Sequence, residues 1–271
     1  MRVGLFIPCY VDQFYPSVAI ATLELLEKAG CTVGYVRDQT CCGQPLANSG
    51  YESAAIEAGE LFVKNFQSFD HVVTPSGSCC YHVRHHFDVL EQTESVEHVR
   101  NSVFELGEFL HDVLKADYSH IRFPYRTGLH SGCHGLRGLR TASSSELQVT
   151  PFNKIGALLK TVRDLELVNL TRTDECCGFG GTFSVKEADV SVSMGDDRLA
   201  DHQPGERTDD EEGTQAARQV GERRLRRRGT AIRGTHVGRG LGSVGGGCTG
   251  GGHLVVHDGL LKPRILLGIR R

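Results

Sequence analysis

The sequence predicts an α/β fold: two repeated parallel strand–helix units rich in cysteine, followed by a poorly ordered C-terminal tail. Three observations point there. Short apolar runs alternate with helical patterns from the first residues onward, as they do in parallel sheets. The triplet Cys-Cys-Gly occurs at 41–43 and again at 176–178, which marks an internal repeat. From Gln203 onward 16 of the 33 glycines and 12 arginines collect, with no Phe, Tyr or Trp, so that segment has little to bury. The boundaries fall at 1–120 for the first cysteine-rich unit, 121–202 for a truncated or degenerate second one, and 203–271 for the tail.

Taken in order, VGLFIP at 3–8 reads as a buried strand, ending in a turn region at 9–15. Pro16 and Ser17 open a helix, Pro suiting an early helical position. Its buried face is expected from Ala19, Ile20, Leu23 and Leu26, and Gly30 stops it. Residues 31–36 form the second strand, 51–66 a helix, and 71–74 the third strand, followed by PSGSCC at 75–80. Residues 88–126 hold the remaining helices and the connection. A second copy follows: a strand and cysteine turn at 127–133, a helix at 152–162, a strand at 165–170, then Cys176-Cys177-Gly178. This is a Rossmann-like arrangement, used twice. In the tail, RRLRRRG and SVGGGCTGGG are low-complexity stretches. The abrupt change in composition is also what a disturbed reading frame produces.

A net charge of −3 implies no global attraction to nucleic acid, and the arginine run has no interleaved aromatics to stack on bases. No apolar run is long enough to span a bilayer. The N-terminal run is short and lacks a small-residue cleavage site, so a cytoplasmic protein is expected. Disulfides are rare there, and clustered cysteines bind metal or do redox chemistry.

Cysteine follows each predicted strand: Cys9, then Cys41 and Cys42, then Cys79 and Cys80, and in the second copy Cys133, then Cys176 and Cys177. Loops at the carboxyl ends of parallel strands emerge on one sheet edge, so thiols distant in sequence are expected to converge. Thiolate is a soft ligand selecting zinc, copper(I) or iron–sulfur clusters. A structural zinc site uses close Cys-x-x-Cys pairs, which neither copy shows. An adjacent pair aims its sulfurs in different directions, which suits two irons of a larger cluster. Buried, inert thiols are the bland alternative.

The runs VGLFIPCYVDQFYP, CCGQP, SGSC and CCGFGGTFSVK resemble the cysteine-rich, or CCG, domain family of iron–sulfur proteins, over roughly residues 1–202. Within it the resemblance is closest to the lactate-utilisation members. It implies a cytoplasmic iron–sulfur electron-transfer subunit, bearing a 4Fe–4S cluster, that works with other subunits of a complex oxidising L-lactate to pyruvate. It implies no catalytic side chain and no flavin or nicotinamide site. The alternatives are an iron–sulfur subunit of the heterodisulfide-reductase or glycolate and glycerol-3-phosphate oxidation type, and a zinc-binding structural scaffold. The implied ligands are Cys9, Cys41, Cys42 and Cys79 for the first cluster, and Cys133, Cys176 and Cys177 for the second. Cluster-binding members close each repeat with Cys-x-x-Cys. Here His82 stands where the last cysteine falls, so His82 or Cys80 completes the first set. The second closing cysteine would fall near 210–220, where the chain reads EEGTQAARQVGER. Cys248 is the only later thiol.

Other features read as structural. Cys31 begins a strand and suits core packing. His85 and His86 suit a solvated helix face, and His130 and His134 flank Cys133. GFGG at 178–181 lacks the Lys-Ser/Thr of a phosphate loop. Gly43 and Gly178 are expected to let the backbone approach a cluster with no side chain in the way.

Overall fold

Four short stretches, RVGL, TVGY, HVVT and VFE, carry the β-branched and apolar residues that suit a sheet covered on both faces. In the computed structural model, which describes residues 1–168, 170–201 and the backbone of 254–257, they are β1 (Arg2–Leu5), β2 (Thr32–Tyr35), β3 (His71–Thr74) and β4 (Val103–Glu105). Their order is β2-β1-β3-β4, all parallel. Val3 stands opposite Val33 on one side and His71 on the other. β4 was not separated from the helices expected at 88–126. It is only three residues long and runs straight into a helix.

The helices follow the strands. α1 (Cys9–Phe14) and α2 (Pro16–Lys28) come after β1. α3 (Gln44–Ala47) and α4 (Glu52–Phe66) come after β2. α5 (Gly77–His86) and α6 (Glu94–Ser102) come after β3. α7 (Leu106–Glu108) continues from β4 into a π turn at 109–113. The turn expected at 9–15 is therefore the helix α1, because Val11 finds a buried seat and the carbonyl of Pro8 accepts from Asp12 N–H. The buried face of α2 is Val18, Ala21, Thr22, Leu25 and Leu26, while Ile20 is exposed. That rotates the stripe by about one residue from the expected one.

The second sheet has the order β6-β5-β7, again parallel: β5 (Arg126–His130), β6 (Glu166–Val168) and β7 (Leu254–His257). Around it lie α8 (Lys154–Lys160), α9 (Phe183–Lys186) and α10 (Ala188–Asp201). β7 lies within the stretch assigned to the tail and occupies the place that β3 takes beside β1.

Two apolar clusters cover the first sheet. Phe6, Phe62, Phe66, Phe87 and Val72 form one, with edge-on ring contacts such as Phe6–Phe62 at 4.8 Å. Val3, Leu5, Val73, Phe109, Ile155, Leu158 and Leu159 form the other. Val72 and Val73 fall in different clusters because successive strand side chains point to opposite faces. The second cluster also draws on α8, so the two repeats share a core. An ion network joins them as well. Arg84 donates to Glu108 through both terminal nitrogens, at 3.2 and 2.9 Å, and Lys154 pairs with Asp112 and lies 3.9 Å from Glu108.

Candidate metal centre

The order β2-β1-β3-β4 reverses direction between β1 and β3, and such a reversal opens a crevice at the carboxyl ends of the strands. Three segments enter it. From β1, Pro8 turns the chain into α1, whose first residue is Cys9. From β2, a loop carries Cys41 and Cys42 to Gly43, which starts α3 in the left-handed region at φ +90°. From β3, Ser76 caps α5 by accepting from Cys79 N–H at 3.4 Å. Cys79 thus lies in the first turn of a helix, where the macrodipole favours an anionic sulfur.

Gln39 fixes the β2 loop against β1. Its side chain accepts from Ile7 N–H at 2.8 Å and donates to the carbonyls of Leu5 at 3.3 Å and Val36 at 2.9 Å. No local pattern marks this role. A glutamine in a loop is silent until its three partners are known.

The structure brings Cys9, Cys41, Cys42 and Cys79 into one chain of contacts. Cys9 Sγ donates to Cys41 Sγ at 3.7 Å. Cys42 hydrogen-bonds both Cys41 and Cys79. Hydrogen bonds from Cys42 and then Cys9 hold the Cys41 thiol far below its ordinary value. The bond from Cys42 lowers Cys79 against the effect of burial. Cys9 and Cys42 are pushed up, chiefly by hydrogen bonding to those same sulfurs. Acceptor and donor sulfurs therefore alternate from an exposed end at Cys9 to a buried one at Cys42 and Cys79.

Cys80 and His82 diverge. Cys80 is fully buried in the Phe62–Phe87 cluster, its charged neighbours are Arg84, Glu108 and Glu105, and burial raises its pKa. His82 is 5% exposed, and the charge of Cys41 acts on it together with those of His86 and His134. Burial pushes its pKa down to about 4. Adjacent helical positions point about 100° apart, so one residue faces the core and the next but one faces the sulfurs.

The second set repeats part of this arrangement. Cys133 follows β5 at the start of a π turn at 134–138, and Cys176 and Cys177 follow β6. Cys133 hydrogen-bonds Cys176, with Cys177 close by. Burial first, then Cys176, raises its pKa to about 11. Gly178 N–H donates to Cys176 Sγ at 3.4 Å. The stretch 210–220 and Cys248 lie outside the described residues. Residues 258–271, which follow β7, contain no cysteine, whereas β3 is followed by Cys79 and Cys80.

The triplet glycines are crowded from behind. A Cβ on Gly43 would lie 3.0 Å from Ala55 O, and one on Gly178 would lie 2.6 Å from Ser191 O. Both crowd the helix behind the cysteines, α4 in one repeat and α10 in the other. The missing side chain lets the loop seat on its supporting helix, and both positions also need positive φ.

Aromatic side chains connect the two sets. Tyr10, beside Cys9, packs on Phe179, beside Gly178, with ring centroids 5.1 Å apart. Tyr81 of α5 packs on His134 at 5.5 Å. Among the described residues, no three His, Cys, Asp or Glu side chains surround a point as ligands of one ion. The first set is a string of sulfurs drawn from three segments, an all-thiol donor set of the kind that holds an iron–sulfur group or zinc.

A model of the CCG cysteine-rich domain matches residues 3–84 and 127–208. The chain is 39% identical over 203 residues to "Lactate utilization protein A" of Geobacillus sp. (strain WCH70), covering 73% of this chain and 81% of that protein. It is 40% identical over 203 residues to the protein of the same name from Geobacillus thermodenitrificans, with the same coverage. It is 39% identical over 204 residues to that of Halalkalibacterium halodurans, covering 73% and 79%. Among the described residues no helix is long and apolar enough to cross a membrane.

Proposed function

We propose that this chain, which belongs to the CCG cysteine-rich domain family, is the iron–sulfur subunit of a cytoplasmic lactate-utilisation complex and passes on electrons taken from L-lactate as it becomes pyruvate. The observation that carries this reading is the chain of sulfurs from Cys9 through Cys41 and Cys42 to Cys79, drawn from three strand ends at one sheet edge. The names of the relatives point to lactate.

In this reading Cys9, Cys41, Cys42 and Cys79 hold a 4Fe–4S cluster, with His82 beside them. Cys133, Cys176 and Cys177 hold part of a second. A bound cluster supplies one-electron chemistry. The protein's part is to keep the thiols deprotonated and placed. The first turn of α5 favours the anionic form of Cys79, and Gln39 fixes the loop that carries Cys41 and Cys42. Burial of Cys42, Cys79 and His82 keeps water from one side of the site, while exposed Cys9 marks the side open to a partner.

The test is anaerobic purification followed by iron, zinc and acid-labile sulfide analysis, and then by lactate-dependent bleaching of the visible absorbance in the presence of the partner subunits. Iron and sulfide in equal amounts, bleached by lactate, are the expected result. Zinc without sulfide sinks the iron–sulfur assignment. A cluster that lactate and the partners leave oxidised sinks the lactate assignment alone.

A further inference from the structure

Arg198 is 3% exposed on α10, an uncommon burial for a cation, and no ligand assignment calls for it. Its guanidinium reaches two separate segments. Nε donates to His130 Nδ1 at 3.0 Å. One terminal nitrogen donates to the Arg172 carbonyl, and the other to the Thr173 carbonyl at 3.3 Å. His130 ends β5, just before Cys133, and Arg172 and Thr173 lie just before Cys176. One side chain therefore ties both arms of the second cysteine set. The same helix holds the loop elsewhere. Ser191 Oγ donates to the Gly178 carbonyl at 2.8 Å, and Arg172 donates back to the Asp197 carbonyl at 3.0 Å.

We propose that Arg198 is the positioning residue of the second cysteine set, fixing how far Cys133 stands from Cys176 and Cys177. The role of those cysteines as ligands rests on the reading given above; the tie itself does not. The argument is geometric. A guanidinium is a planar fork whose N–H groups point in fixed, different directions, and it can bond a ring nitrogen and two carbonyls at once. An ammonium is a point donor and cannot span the same three acceptors. His130 accepts at Nδ1. The bonds to the two carbonyls hold backbone that no regular element holds, since 171–174 is bend and turn between β6 and the triplet.

The test compares Arg198→Lys, which keeps the charge, with Arg198→Gln, which does not. Hydrogen exchange is followed in metal-free full-length protein at 131–134, 171–178 and, as reference, 41–50. Both variants are expected to speed exchange at 171–178 by at least about tenfold, from the loss of charge-assisted hydrogen bonds to the Arg172 and Thr173 carbonyls, with 41–50 unchanged. His130→Leu, which removes only the β5 end, is expected to speed 131–134 more than 171–178. Unchanged exchange at 171–178 in both Arg198 variants overturns the proposal. So does equal acceleration at 41–50, which makes the residue a general prop, and so does wild-type behaviour of Arg198→Lys, which makes charge alone sufficient. Iron per chain is read separately on reconstituted protein. If the wild type holds iron at the second set, both variants are expected to lose that share and keep the rest. If it holds none, the ligand reading of that set fails while the exchange data still decide the tie.

Discussion

The glycine after each cysteine pair offers a clean measurement, because Gly43 has a nearby control. Gly43 and Gly50 both have positive φ, +90° and +83°. A Cβ at 50 meets nothing within 4 Å, whereas one at 43 lies 3.0 Å from Ala55 O and 3.5 Å from the backbone Cα of the same residue. Alanine in the left-handed region costs about 1–2 kcal/mol at either position, and both substitutions stiffen the unfolded chain equally. The difference between Gly43→Ala and Gly50→Ala therefore isolates the crowding against α4, worth about 1–3 kcal/mol by analogy with overpacked cores. With an m-value of about 3 kcal/mol/M, the urea midpoints should separate by roughly 0.3–1 M. The assay is urea unfolding of metal-free protein followed by circular dichroism, with iron content measured in parallel. Gly43→Ala should also lose iron, because relief of the contact displaces the loop that carries Cys42. Coincident midpoints for the two variants would refute the assignment of Gly43 to seating the loop on α4.

Three further outcomes are expected. Cys42→Ser should lower iron per chain, whereas Cys80→Ala should leave it unchanged and cost about 1–2 kcal/mol of stability as a small core truncation; equal iron loss in both would make Cys80 a ligand. Arg84→Met leaves the buried Glu108 carboxylate with only Lys154 at 3.9 Å, and should cost about 3 kcal/mol in urea unfolding; an unchanged midpoint would mean that the pair does not tie α5 to α7. His71, packed edge-on against Phe104 and Phe109, has its pKa lowered by burial. The unfolded chain therefore takes up the proton first, and stability present above pH 6.5 is lost as pH falls from there toward the folded value. His71→Leu should flatten that part of the profile, and an unaltered slope would exclude His71 as its source.

Strands and helices were legible where a residue pattern has one interpretation. VGLFIP and HVVT sit inside a sheet covered by Phe6, Phe66 and Val72 on one side and Leu5 and Val73 on the other, so their apolar runs left no choice. The face of α2 was placed one residue off because Ile20 is apolar yet exposed, and only the packing of Leu25 and Leu26 fixes the rotation. β4 is three residues long, too short for periodicity to separate it from the helices around it, whereas β6, equally short, falls inside the alternating run at 165–170. At the site, the cysteines announce themselves by chemistry and repetition. The bond of Gln39 to Ile7, the bonds of Arg198 to His130 and Thr173, and the Tyr10–Phe179 contact reach partners at least 25 positions away in sequence, which no local pattern encodes. Cys80 and His82 are both buried, and only the direction of each side chain, which the sequence does not encode, separates their surroundings.

The strand order has a bearing on assembly. Because Cys9, Cys41 and Cys79 follow three neighbouring strands, backbone pairing and Gln39 hold the sulfurs together without a metal. In the reading proposed above, cluster loading is then a capture by a folded receptacle, unlike the zinc domains in which ion binding and chain folding are one event. A chelator should strip this protein without unravelling it.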